Sequence, residues 1–196
     1  LGLKNFFDIA DYITVNISSP NTEGLRDFHD QEKLKDLLIS LNKIKKDNKT
    51  NIPLLLKISP DINDSHINEI TEIAIKNNIS AVIITNTTNA NRENLISELK
   101  DEEGGLSGDP LQNISTNMIK KFYKELGNKI PIIGVGGVNS GKSAYEKIIA
   151  GASLLQLYTG FVYRGPSTAK EIKKELIQIL KSEGVNNIKE AIGKGI

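Results

Sequence analysis

Residues 131–141 read PIIGVGGVNSG, an apolar run that ends on a Gly-Gly pair. Pro131 to Val138 predicts a strand, and a helix from about Lys142 to Ile149 follows it. Gly151 stops that helix as a natural C-cap. Together these form one β/α unit, and the unit recurs outward in both directions.

Downstream, Leu154 to Tyr158 predicts a further strand, and Ile172, Leu176, Ile179 and Leu180 mark a final helix. Upstream, Ala81 to Thr85 is a strand followed by a long polar loop with Gly104, Gly105 and Gly108. The helix after that loop buries Ile119, Phe122, Tyr123 and Leu126, with Ser115 as its N-cap. Earlier still, Leu54 to Ile58 is bracketed by Pro53 and Pro60, and its helix shows Ile67, Ile70, Ile73 and Ala74 on one side. The first strand is Tyr12 to Ile17, and its helix carries Leu34, Leu37, Leu38, Leu41 and Ile44 on one face.

Near-continuous apolar strands alternating with amphipathic helices imply a parallel sheet covered on both faces. Right-handed crossovers leave a doubly wound sheet or a (β/α)8 TIM-type barrel. Polar and Gly-rich sequence gathers after each strand's C-terminal end, where barrels place their sites, and this favours the barrel. A barrel takes about 250 residues, against 196 here. About five C-terminal β/α units are therefore expected, in one partial barrel domain over residues 1–196, with three units upstream. The chain opens at Leu1 without a methionine, in what reads as the tail of a helix.

Lys plus Arg is 25 and Asp plus Glu is 24, a balance that gives no overall pull toward nucleic acid or anionic lipid. With no cysteine, disulfides, thiolate metal sites and a cysteine base are excluded. No metal site is expected. His29 and His66 stand alone among polar residues and are read as exposed side chains. No apolar run approaches the roughly 20 residues that span a bilayer.

Residues 16–22 read NISSPNT, with amides and hydroxyls able to bond a small polar ring on several edges. The same residue types also make a simple Pro-Asn turn. Lys57 lies inside an apolar strand, where its ammonium must either snorkel outward or meet an anion within. Thr85-Asn86-Thr87-Thr88 ends the third strand with another amide among hydroxyls. Residues 104–108 (GGLSG) and 134–138 (GVGGV) let backbone amides approach phosphate oxygens closely. If three units lie upstream, the strand at 131–138 is the seventh, and loops after the seventh and eighth strands commonly hold phosphate.

In order, NISSPNTEGLR (16–26), LLLKISPD (54–61), ITNTT (84–88), GGLSGDPL (104–111) with IST beyond it, PIIGVGGVNSG and AGASLLQLYT (150–159) closely resemble the quinone-linked (class 2) dihydroorotate dehydrogenases. The resemblance runs from about Asp11 to Ile192. It implies an FMN-dependent oxidoreductase of pyrimidine synthesis that converts dihydroorotate to orotate. Hydride would pass to FMN and electrons onward to a membrane quinone. Through the resemblance, Ser19 matches the catalytic base, and Asn16, Asn21, Asn86 and Thr87 match substrate contacts. Asn16, Lys57, Thr85, Gly108, Gly137, Tyr158 and Thr159 match FMN contacts, the last three around the phosphate; Ser107 adjoins them. Soluble class 1 relatives place a cysteine where Ser19 stands. In class 2, membrane contact is made through a segment upstream of the barrel, so a peripheral membrane protein is implied, at the cytoplasmic face of a bacterial inner membrane or at the mitochondrial inner membrane. The rival readings are a phosphate-binding barrel enzyme without flavin and a non-catalytic FMN-binding remnant.

Overall fold

In a computed structural model of the protein, which describes residues 2–90 and 92–196, five parallel strands lie side by side in the order of the chain. These are β1 (Ile13–Asn16), β2 (Leu54–Ile58), β3 (Ala81–Ile84), β4 (Ile132–Val135) and β5 (Ala152–Gln156). The helices are α1 (Gly2–Asn5), α2 (Gln31–Asp47), α3 (Ser65–Lys76), α4 (Gln112–Leu126), α5 (Gly141–Ile149), α6 (Thr159–Arg164), α7 (Thr168–Ser182) and α8 (Ile188–Ala191). A doubly wound sheet reverses its strand order partway across. Sequential order without a reversal is the winding of a barrel, so the chain folds as part of a (β/α)8 barrel. Here β1 and β5 are both edges.

The period-2 alternation of each strand sorts its side chains onto two faces. Leu54, Leu56, Ile58, Val82, Ile84 and Ile132 pack outward with Leu34, Leu38, Ile67, Ile70, Ile119 and Phe122 of the helices in the main core. Leu55, Ala81, Ile83 and Ile133 form a second cluster on the other face, the barrel interior. Leu154 of β5, with 62% of its surface exposed, marks where that interior is open.

Several boundaries differ from the sequence reading. The strand expected to run to Val138 stops at Val135, because Gly136 and Gly137 take φ of 115° and 70° and leave the extended region. The last strand starts at Ala152 rather than Leu154, since the Gly151 turn feeds directly into pairing with Ile132. Ser115 is not an N-cap. A 3-10 turn over Asp109–Leu111 runs straight into α4 at Gln112, which puts Ser115 inside the first turn, fully buried. Its hydroxyl instead donates to the Val135 carbonyl and, at 3.4 Å, to that of Ile84. Of the helical tail expected at the start, Gly2–Asn5 is helical, and Leu1 lies outside the described residues.

His29 is also corrected. It is 6% exposed, not a surface residue. Its Nε2 faces the Ser59 N–H at 3.4 Å and so accepts, which leaves Nδ1 to carry the proton and donate to the Arg26 carbonyl at 2.9 Å. Burial pushes its pKa below the usual imidazole range.

Candidate functional site

The inner face of the sheet carries its polar residues at the strands' C-terminal ends. Lys57 lies two residues beyond Leu55 and therefore on the interior face, and its register partner across β1 is Asn16. Ile13 and Val15 pack outward, which turns Asn16 inward by the same alternation. Thr85 follows Ile83 on that face, and Gln156 pairs in register with Val135. A cavity of about 1040 Å³ opens above these ends. Among the residues that line it are Lys57, Thr85, Asn86, Thr87, Gly108, Gly137, Tyr158 and Thr159. All eight had been singled out in the sequence as site residues.

The choice left open for Lys57 is resolved inward. Its side chain lines the cavity, and burial lowers its pKa, with no charged neighbour opposing that shift. A half-buried ammonium without a carboxylate partner among the described residues favours an anion in front of it.

Asn16, Ser19 and Asn21 do not line this cavity, but a hydrogen-bonded corner ties their loop to it. Asn86 Nδ2 donates to Ser18 Oγ at 3.0 Å and to Asn16 Oδ1 at 3.3 Å, and Ser18 Oγ donates to Asn16 Oδ1 at 2.7 Å. Asn86 Oδ1 accepts from the Thr87 N–H at 2.8 Å, which fixes the side-chain amide's orientation. Ser19 Oγ accepts from the Asn21 N–H at 3.2 Å, the local bond of the Pro-Asn turn.

The long loop after β3 returns to the same corner. Thr88 and Leu106 exchange backbone hydrogen bonds of 3.1 and 2.7 Å, closing the loop's neck. Gly105 then passes so close to the site that a Cβ there would stand 1.8 Å from Thr87 Oγ1 and 2.9 Å from Pro20 Cγ. Only glycine allows this approach. Beyond it, Ser107 Oγ meets Thr159 Oγ1 at 2.8 Å, joining this loop to the start of α6. At Gly137 a Cβ would lie 2.5 Å from Gln112 Cβ and 2.7 Å from its Cα, so the Gly-Gly turn is pressed against the start of α4.

A supporting network was missed in the sequence. Arg26 pairs with Asp61 at 3.0 Å and donates to the Thr87 carbonyl at 3.3 Å. Asp61 also accepts from Thr88 Oγ1 and, at 3.1 Å, from the Asn89 N–H. Three loops, after β1, β2 and β3, are thereby cross-linked behind Asn86 and Thr87. The signal available was the base and the acid that close two of the motifs, in GLR and SPD, which are ordinary surface types until placed in space.

A cavity at the C-terminal rim of parallel barrel strands, with an inward cation at one end and a glycine turn at the other, defines a (β/α)8-barrel protein whose rim is shaped and charged to suit an anionic ligand. A family model described as dihydroorotate dehydrogenase matches residues 2–180. The chain is 50% identical over 173 residues to a dihydroorotate dehydrogenase (quinone) of Christiangramia forsetii, covering 88% of this chain and 50% of that one. It is 43% identical over 198 residues to a mitochondrial dihydroorotate dehydrogenase (quinone) of Arabidopsis thaliana, covering 98% and 43%. The crystal structure of DHODH in complex with ferulenol from Eimeria tenella superposes with a TM-score of 0.94 at 36% identity, over 98% of this chain and 56% of that one. The chain belongs to the dihydroorotate dehydrogenase family, which is flavin-dependent. It spans about half the length of the curated relatives it matches.

Proposed function

We propose that this protein oxidises dihydroorotate to orotate in de novo pyrimidine biosynthesis, with FMN as its flavin and a membrane quinone as final electron acceptor. One observation carries the reading: Lys57, the Thr85-Asn86-Thr87 corner and the Gly137 turn face a single cavity, and Asn86 links it to the loop that bears Ser19. The residues fit FMN. Asn16, Lys57 and Thr85 would hold the ring, Gly108 would contact the cofactor, and Gly137, Tyr158 and Thr159 would surround the phosphate. The backbone N–H groups of Gly136 and Gly137 donate to no acceptor among the described residues, which leaves them for an anion.

FMN, when bound, supplies the hydride acceptor. Ser19 takes the C5 proton of dihydroorotate as hydride leaves C6, so one proton and one hydride are lost and a ring double bond forms. A serine hydroxyl is a weak base and must release its own proton as it accepts one. The Asn21 N–H on Ser19 Oγ orients the hydroxyl and stabilises the negative charge that builds there. Asn16, Asn21, Asn86 and Thr87 bind the pyrimidine edges. Lys57 holds positive charge beside the ring that gains electrons.

A quinone acceptor makes this a peripheral membrane protein. The cytoplasmic face of a bacterial inner membrane is the proposed location and the mitochondrial inner membrane the alternative, since relatives of both kinds match. Among the described residues no helix is long and apolar enough to cross a membrane.

The test is anaerobic mixing of the full-length protein with dihydroorotate while oxidised-flavin absorbance is followed. Rapid bleaching is expected, slowed about a hundredfold or more in Ser19→Ala. A colourless protein would reject the flavin, and an unchanged rate in the variant would remove Ser19 from its role.

A further inference from the structure

Arg164 ends α6 and lines the cavity beside Gly137 and Asn139, yet none of the steps above uses it. Its guanidinium donates to the Asn139 carbonyl and pairs with Glu171 of α7 at 3.0 Å. One turn earlier, a Cβ on Gly160 would stand 2.6 Å from the Val138 carbonyl oxygen, so α6 is pressed onto the loop that follows β4. Arg164 thus reaches back to Asn139, just past the glycine turn.

The charge around the cavity is uneven. Its charged lining residues are Lys57, Arg164 and Asp109. Lys57 stands on β2, at the sheet's rim, whereas Asp109 accepts from Asn139 Nδ2 beside the glycine turn. A carboxylate at that end repels a dianion. Backbone amides orient a phosphate but carry no net charge, and Arg164 is the cation that the cavity lining offers at that end. Its pairing with Glu171 is weak competition, because both side chains are substantially exposed and solvent screens the pair.

We propose that Arg164 makes this site select a phosphorylated flavin over its unphosphorylated form, by offsetting Asp109 and the phosphate charge together. The inference rests on the flavin reading of the cavity. It concerns one end of the ligand only, and therefore separates phosphate recognition from ring recognition.

The test uses the full-length protein stripped of flavin and titrated with FMN and with riboflavin, followed by quenching of flavin fluorescence. Arg164→Gln is expected to weaken FMN on the order of tenfold while riboflavin changes by less than about twofold. Arg164→Lys should recover most of the loss, and the preference for FMN should shrink with added salt in the parent more than in Arg164→Gln. Equal losses for both ligands, or Arg164→Lys as weak as Arg164→Gln, would show that Arg164 only braces the loop and would overturn the proposal. A parent protein that binds neither ligand would instead overturn the flavin reading.

Discussion

Asn86 donates through Nδ2 to Ser18 Oγ at 3.0 Å, across 68 residues of chain, and so joins the end of β3 to the loop after β1. Ser18 is fully buried, and its hydroxyl is held between Asn86 and Asn16. Both loops then meet a ligand as one surface. Removing the Asn86 amide loosens Ser18 together with Asn16 and, on the proposed function, strips a contact from the pyrimidine. Asn86→Ala is expected to lower kcat/KM for dihydroorotate by roughly ten- to a hundredfold, the range for a lost buried hydrogen bond. Steady-state kinetics of the full-length variant check this, and an unchanged kcat/KM would place Asn86 outside substrate binding.

Lys57 supports a second expectation. Its ammonium faces the cavity, and burial already disfavours its charge. An anionic reduced flavin in front of it would be stabilised by that charge. Lys57→Met keeps much of the apolar stem and removes the charge, so the flavin's reduction potential should fall and its reduction by dihydroorotate should slow. Photoreduction against a reference dye measures the potential. A potential equal to the parent's would mean that Lys57 does not act on the ring.

The acid limb of stability should report His29. Burial lowers its folded pKa below the ordinary 6.5, so the unfolded chain binds the proton more readily. Its contribution is therefore fully present above pH ~6.5 and declines as pH falls through the lower folded value. The structural event is simple: a protonated Nε2 becomes a donor facing the Ser59 N–H, and the link from Arg26 to Ser59 is lost. Glutamine can accept from Ser59 and donate to Arg26 without titrating. Urea unfolding at pH 7 and pH 5 should show a smaller acid loss in His29→Gln than in the parent.

The winding of the sheet was legible because it depends on period and order, which each apolar run displays by itself. Lys57 was visible as a charge in an apolar strand, but its direction was not. Leu55 and Ile83 had first to be assigned to the inner face. Strand ends were misread where glycine conformation decides, as at Gly136, since composition does not encode φ. His29 and Ser115 were misread for a common reason. Each is a polar residue whose partner, Ser59 or Val135, lies 20 or more residues away, and polarity alone suggested solvent or a cap. Arg26, Asp61 and Arg164 escaped notice on the same ground, as charges whose meaning is set by neighbours from other loops.

Lys147 offers the last prediction. It is fully buried between α4 and α5, where Nζ donates to Thr116 Oγ1 at 3.1 Å and to the Gln112 carbonyl at 3.4 Å. Burial lowers its pKa from 10.5 to about 8, against an opposing pull from Glu146. The unfolded lysine holds its proton more tightly, so stability rises as pH climbs from about 8 toward 10.5. Below that window the charged form is buried at a constant cost of about 3 kcal/mol relative to the neutral one. Lys147→Met fills the same space without the charge. Thr116 Oγ1 already donates to the Gln112 carbonyl at 2.8 Å, so the substitution leaves neither group without a partner. The variant should therefore be more stable than the parent at pH 7, by about 1–3 kcal/mol, with the gap narrowing at pH 10. Urea unfolding of both proteins at the two pH values measures it. A variant weaker at both would mean that the ammonium's hydrogen bonds outweigh its desolvation.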